Sequence, residues 1–260
     1  MALSVSKRLV YVINLGRMGF LAANDVQMRY ARQHLDALAG HPSTRPKNVI
    51  LMVEHNPVYT VGIRNSEYGY ETENKLKSLG AEFYQTNRGG LITFHGPGQL
   101  VAYPILNLQH FKPSMKWYIS SLEKTLVRSC KYFGVSAQTS THTGVWVKDR
   151  KIAAIGVHGK RYVTTHGISL NCNTDLSWFQ HIEACGIPEK EVTSLSKEMD
   201  RPITIDEVIG PFLEAFEKTF DCHIDSSMLE SGNFSSVFSR SVNGPKMYSD
   251  IRQMSTATRK

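Results

Sequence analysis

The stretch Arg88-Gly89-Gly90-Leu91-Ile92-Thr93-Phe94-His95-Gly96-Pro97-Gly98-Gln99-Leu100-Val101-Ala102-Tyr103-Pro104 places four glycines and two prolines beside an arginine and a histidine, between apolar runs. Glycine admits positive φ and close backbone approach, and proline fixes its own φ. A loop of this makeup can present N–H groups, a cation and an imidazole to one small ligand. Composition alone favours a plainer reading, a hairpin with glycine turns; the order of the residues points away from it.

Outward from this loop, Glu82 to Thr86 leads in and Leu100 to Leu108 leaves as a strand. Upstream, Leu9-Val10-Tyr11-Val12-Ile13 is β-branched and apolar and reads as a strand. Phe20 to Ala39 carries helical spacing with Gly40 as a stop. Val49 to Val53 is a continuous apolar run that suits a buried strand, and Tyr68 to Leu79 reads as a loop and short helix ended by Gly80. Downstream, Trp117 to Phe133 is an amphipathic helix with Leu122, Leu126, Cys130 and Phe133 on one face. Three short strands follow over Gly144–Val147, Ile152–His158 and Thr164–Asn171, with turns at Asp149-Arg150 and Gly159-Lys160. Thr204-Ile205-Asp206-Glu207 is a capping box opening a helix to about Phe220, which Pro211 should kink. The pattern predicts a single α/β domain over 9–225, with strands of mixed direction and helices between them. It is preceded by a short segment over 1–8. A serine-rich, basic segment over 226–260 reads as a disordered tail.

The chain has 260 residues, 41% of them hydrophobic, which suits a globular domain with a sizeable core. No apolar run reaches the length of a membrane span, so no membrane role is expected. A net charge of +7, from 30 basic and 23 acidic residues, suits an acidic partner as well as plain solubility. No zinc-finger or RNP spacing occurs, and no nucleic-acid role is expected. The ten histidines show no metal-ligand spacing, so no metal is expected. The cysteines, Cys130, Cys172, Cys185 and Cys222, form no C-x-x-C pair and suit a reducing compartment. Lys7, Arg8 and Arg17 precede the first acid, Asp25, which is the polarity of a mitochondrial presequence. Since Leu9 already opens a strand, a removable segment is limited to roughly the first eight residues.

The glycine-rich stretch resembles the signature of the lipoyl(octanoyl) transferases. The resemblance continues through Glu54-His55-Asn56-Pro57-Val58-Tyr59-Thr60, Lys151-Ile152-Ala153-Ala154-Ile155-Gly156-Val157, Thr165-His166-Gly167-Ile168-Ser169-Leu170-Asn171, Ala184-Cys185-Gly186 and Val192-Thr193-Ser194-Leu195. Ordered blocks over that length are more specific than one short pattern. The resemblance implies the mixed-sheet fold shared with biotin and lipoate protein ligases, mitochondrial location, and transfer of an octanoyl group from acyl carrier protein to a lysine of a lipoyl domain. Implied acceptors are lipoyl-domain proteins such as 2-oxo acid dehydrogenase E2 subunits and the glycine cleavage H protein. Thioester-to-amine transfer is downhill, so no cofactor is implied.

Taken alone, Cys185 reads as a small buried hydrophobe and Lys151 as a solvated charge at a strand start. The resemblance makes Cys185 the nucleophile and Lys151 its partner. It also assigns acyl contact to Arg88, Gly89, Gly90, Leu91, Ile92, Thr93, Phe94 and His95, and to Ala154, Ile155, Gly156, Gly167, Ile168 and Ser169. Alternatives stand beside these roles. Arg88 can instead brace the loop through an ion pair, His95 can bond the loop backbone rather than the acyl oxygen, and the two later segments can simply be core strands. His166 can orient Gly167, while His55 and Tyr59 fall near the pocket with no chemical role. Rival functions are an ATP-dependent lipoate protein ligase, a lipoyl amidotransferase, and a non-catalytic acyl-carrier-binding module.

Overall fold

Gln99–Ile105 is buried along its whole length because it is the middle strand of a seven-stranded sheet. The computed structural model describes residues 8–41, 45–64, 68–182 and 191–227. The strands are β1 (Leu9–Met18), β2 (Asn48–His55), β3 (Val58–Val61), β4 (Glu82–Gln85), β5 (Ile92–His95), β6 (Gln99–Ile105), β7 (Val145–Val147), β8 (Arg150–Lys160), β9 (Val163–Asn171) and β10 (His223–Asp225). The helices are α1 (Phe20–Leu38), α2 (Tyr70–Ser78), α3 (Met115–Tyr132), α4 (Leu195–Met199) and α5 (Ile205–Phe220).

The large sheet has the order β10-β1-β2-β6-β9-β8-β7, and a small one the order β4-β3-β5. β1 runs parallel to β2 and β10, and the remaining pairs of the large sheet are antiparallel, so the expected mixed α/β sheet is present. The quoted stretch is what joins the two sheets. It enters the small sheet as β5, turns at Gly96-Pro97-Gly98, and leaves as β6 in the large one. Glycine is required at both ends of that turn: a Cβ on Gly96 would lie 2.4 Å from the Phe94 ring, and one on Gly98 2.4 Å from Asn173 O.

α1 packs on β6 and β9, while α3 packs on β8 and α5. Ser114 caps α3, and Thr204 with Glu207 forms the expected capping box on α5. α5 continues through Pro211. The preceding Gly210 has no Cβ to clash with the proline ring, which removes part of the usual barrier to helix at that position.

Some expectations need correction. The β7–β8 turn is Lys148-Asp149, not Asp149-Arg150. The β8–β9 turn is Arg161-Tyr162, both at positive φ, not Gly159-Lys160. Gly159 belongs to β8, paired with Thr164 of β9, and its bareness makes room for Met115, whose Sδ would lie 2.8 Å from an added Cβ. β6 ends at Ile105, and Leu108 starts a 3-10 turn instead of finishing a strand. Except for Arg8, Ser226 and Ser227, the N-terminal segment 1–8 and the tail 226–260 lie outside the described residues.

Candidate active site

β8 begins beside a partly open cavity. It has a volume of about 410 Å³, runs along β8 and β9 and is bordered by the glycine-rich loop; that volume suits a small ligand. Lys151, residues 88–93, His95, 154–156 and 167–169 all line it. Phe94 does not. Its ring stacks on Trp178 with centroids 5.0 Å apart and meets Phe179 edge-on, inside a cluster with Tyr59. Phe94 is thus packed among aromatic side chains and is absent from the cavity lining, unlike the acyl contact expected of it. Cys185 lies outside the described residues.

Gly89 N–H donates to Val157 O at 2.9 Å, so the loop lies on β8. Gly156 permits this: a Cβ there would lie 2.9 Å from Arg88 Cδ and 3.1 Å from Gly89 O. On its other side the loop meets Gly62, whose added Cβ would lie 2.3 Å from Gly90 O. Ile63 N–H donates to Arg88 O at 2.9 Å and Gly62 N–H to Leu91 O at 3.3 Å. Gly167 is small for another reason. A Cβ there would lie 2.1 Å from Ala102 O, so β6 rather than the slot requires its bareness. His166 precedes it at φ 57 and donates its N–H to Gln27 Oε1 at 2.8 Å, which fixes the bend.

Arg88 is buried and braces the loop with hydrogen bonds, with no ion pair among the described residues. Its Nη2 donates to Thr60 O at 2.6 Å and Nη1 to Gly89 O at 3.0 Å. Burial pushes its guanidinium down to about 10.

A directed chain of hydrogen bonds crosses the cavity wall. Asn171 Nδ2 donates to Thr193 O at 2.9 Å, which turns its Oδ1 toward Gln99. Gln99 Nε2 donates to that Oδ1 at 2.9 Å and to Phe94 O at 3.2 Å. Gln99 Oε1 therefore accepts, and His95 Nδ1, 2.7 Å away, carries the proton. His95 Nε2 is then an acceptor, 3.5 Å from Thr60 Oγ1, and that oxygen accepts Arg88 Nε at 3.2 Å and Nη2 at 3.0 Å. His95 thus bonds the side chains of Gln99 and Thr60 rather than the loop backbone. Burial, then the neighbouring His55, pushes its ring down to about 3, so it is neutral at physiological pH. Behind it, His55 Nδ1 donates to Met18 O at 3.1 Å and Nε2 accepts Tyr103 O–H at 2.7 Å.

Lys151 is held at both ends of its residue. Its N–H donates to Glu191 O and its carbonyl accepts Thr193 N–H, each at 2.9 Å, in a parallel bridge with Val192. Its Nζ lies 5.2 Å from the centre of the Trp146 ring, a cation–π contact. Gly144, at φ 127, leaves room for the stem, since a Cβ there would lie 2.6 Å from Lys151 Cε. Arg64, Arg88 and Lys151 line the cavity, and no carboxylate does among the described residues. Such a lining favours a ligand or intermediate that develops negative charge.

Thr60, Gly62, Gln99, Gly144 and Asn171 are site residues that sequence reasoning passed over. Thr60, Gln99 and Asn171 did carry a signal, each being polar within or at the end of an apolar strand run. Gly62 and Gly144 carried none.

This sheet order and loop place the chain among known proteins. Residues 28–217 match the lipoyl protein ligase A/B catalytic domain, and the chain belongs to that family. A Danio rerio protein named octanoyl-[acyl-carrier-protein]:protein N-octanoyltransferase, mitochondrial, is 52% identical over 220 residues, covering 85% of this chain and 96% of its own. The Homo sapiens protein of the same name is 44% identical over 223 residues, covering 84% and 96%. Among solved structures, lipoate-protein ligase A bound with ATP superposes with a TM-score of 0.62 at 13% identity, covering 83% of this chain and 87% of that one, a likeness of fold.

Proposed function

We propose that this chain is a mitochondrial octanoyltransferase that moves an octanoyl group from octanoyl-acyl carrier protein to a lysine of lipoyl domains, through an acyl-thioester on Cys185. The identity to relatives bearing that name supports the reaction. The observation that carries the residue assignment is the backbone pairing of Lys151 with residues 191–193, together with the placement of Phe179 and Val192 on the cavity wall. Both flanks of the segment that holds Cys185 thereby meet the cavity. Cys185 follows Ile182 by three residues (185 − 182), a reach of at most about 10 Å. The remaining cysteines are poor nucleophiles: burial pushes the Cys130, Cys172 and Cys222 thiols up to about 12.

In the first half-reaction the Cys185 thiolate, paired with the Lys151 ammonium, attacks the octanoyl carbonyl. The C–S bond to the carrier breaks, and the carrier sulfur leaves as a thiol with the proton of Lys151. In the second, the neutral amine of the acceptor lysine attacks the acyl-Cys185 carbonyl. The C–N bond forms, the C–S bond breaks to return the thiolate, and the extra proton on nitrogen passes to Lys151. The cationic lining, without a carboxylate among the described residues, stabilises the thiolate and each oxyanion. Gly89 N–H is spent on Val157 O, so the loop's contribution to the oxyanion comes from the residues after it. Residues 88–93, 154–156 and 167–169 hold the alkyl chain. The net basic charge suits acidic carrier and lipoyl domains.

The test is an intact mass after mixing with octanoyl-acyl carrier protein. The expected product is a hydroxylamine-labile octanoyl adduct mapped to Cys185, absent in Cys185→Ala and slow to form in Lys151→Ala. Near-normal turnover by Cys185→Ala would exclude the covalent route.

A further inference from the structure

We propose that Asn171 is a positioning residue for Lys151, acting through the carbonyl of Thr193. The inference rests on the reading of Lys151 and Cys185 as partners. Its basis is the direction of the hydrogen bonds. The amide of Asn171 has one donor committed to Thr193 O and its oxygen committed to Gln99. Thr193 N–H in turn donates to Lys151 O at 2.9 Å. Asn171 is also 5% exposed, and it lines the same cavity as Lys151. Besides its pairing with Trp146 in β7, Lys151 is therefore tied to a side chain on the neighbouring strand, two hydrogen bonds away.

The other end of the chain is equally fixed. Arg88 and Thr60 dictate which nitrogen of His95 accepts, His95 dictates the orientation of the Gln99 amide, and Gln99 dictates that of Asn171. A flip of any one amide would set donor against donor or oxygen against oxygen, leaving a buried polar group unsatisfied. The chain thus ties the register of the acyl-contacting loop to the register of Lys151. A second tie holds the same strand from outside the cavity. Glu198 accepts Thr193 O–H and both Nε and Nη2 of Arg150. Thr193 therefore remains anchored when Asn171 is changed, and the two contributions can be separated.

The decisive measurement is the rate of Cys185 alkylation by iodoacetamide against pH, with single-turnover octanoylation beside it. Asn171→Ala removes both bonds. The uncharged, near-isosteric Asn171→Leu also removes both, adds no charge to the cavity wall, and preserves the packing if the alanine variant does not fold. Both should move the alkylation midpoint upward by about one pH unit, a roughly tenfold loss of thiolate below it. Both should also slow octanoylation about tenfold at saturating donor, with the donor KM held within about threefold. A purely structural role would lower the melting temperature and leave the midpoint where it is. Lys151→Ala, run in parallel, separates the two ideas. If it shifts the midpoint and neither folded Asn171 variant does, the positioning inference fails alone; if Lys151→Ala itself leaves the midpoint unmoved, the lysine–cysteine pairing fails.

Discussion

Gly62→Ala tests how the acyl slot is built. Gly62 has no positive φ, so alanine carries no intrinsic backbone strain there. The added Cβ would nevertheless lie 2.3 Å from Gly90 O, 2.8 Å from Arg88 O and 2.9 Å from Gly90 C, all of them backbone atoms. Relief of the closest contact moves the loop by about 1 Å, and overpacking of this kind costs roughly 1–3 kcal/mol. The shift also strains the bonds from Ile63 N–H to Arg88 O, 2.9 Å, and from Gly62 N–H to Leu91 O, 3.3 Å, each contributing about 1 kcal/mol. A total of about 2–4 kcal/mol corresponds to a melting temperature lower by roughly 5–15 °C in a domain of this size. A 1 Å displacement of a substrate-positioning group also costs up to about a hundredfold in rate. Thermal unfolding followed by circular dichroism reads the first effect, and single-turnover octanoylation well below the transition reads the second. A variant with unchanged melting and unchanged rate would show that the loop is not held against Gly62, and the account of the slot wall would be wrong.

Gly144→Ala should slow octanoylation at least tenfold while the protein stays folded, because its Cβ would lie 2.6 Å from Lys151 Cε and 2.8 Å from Ala153 O and so deflect the lysine stem; full activity in this variant would show the stem takes another path. Stability should fall with acidity through the buried imidazoles. Burial lowers His34 and His55 to about 4 and His95 and His166 to about 3, whereas each takes a proton near pH 6.5 once unfolded. The contribution is complete above about pH 6.5 and is lost as pH falls toward those lower values, with a limiting slope of about 1.4 kcal/mol per pH unit for each ring. Urea midpoints at pH 7 and pH 5 measure it, and equal midpoints would contradict the burial of these rings as neutral groups.

The helices were legible because their signals are local. Helical spacing and Gly40 marked α1, and Thr204 with Glu207 marked the start of α5. The central strands of the large sheet were legible as apolar runs. The small sheet was not: β3, β4 and β5 are four residues each, too short for a period to show, and they pair across long separations. That Lys151 and residues 88–93, 154–156 and 167–169 border one cavity was foreshadowed by the family resemblance rather than by their own chemistry, since Lys151 alone reads as a surface charge. What stayed hidden was contact-dependent. That Gly156 serves Arg88 while Gly167 serves β6 is a matter of which backbone lies opposite, and no property of either residue announces it. Phe94 was not readable from alternation: Ile92, on the same face of β5, borders the cavity as well as the aromatic cluster, so only the packing against Trp178 and Phe179 sets Phe94 apart.

β8 carries both the lysine and the cavity-lining residues 154–156, with a register shift against β7 between Lys151 and Ala153. A strand advances about 3.3 Å per residue, so Gly156 lies at most roughly 16 Å from Lys151. On the proposed reading of this strand as the floor of an acyl slot, bulk introduced nearer the lysine shortens the tail that fits, with the reacting end left undisturbed.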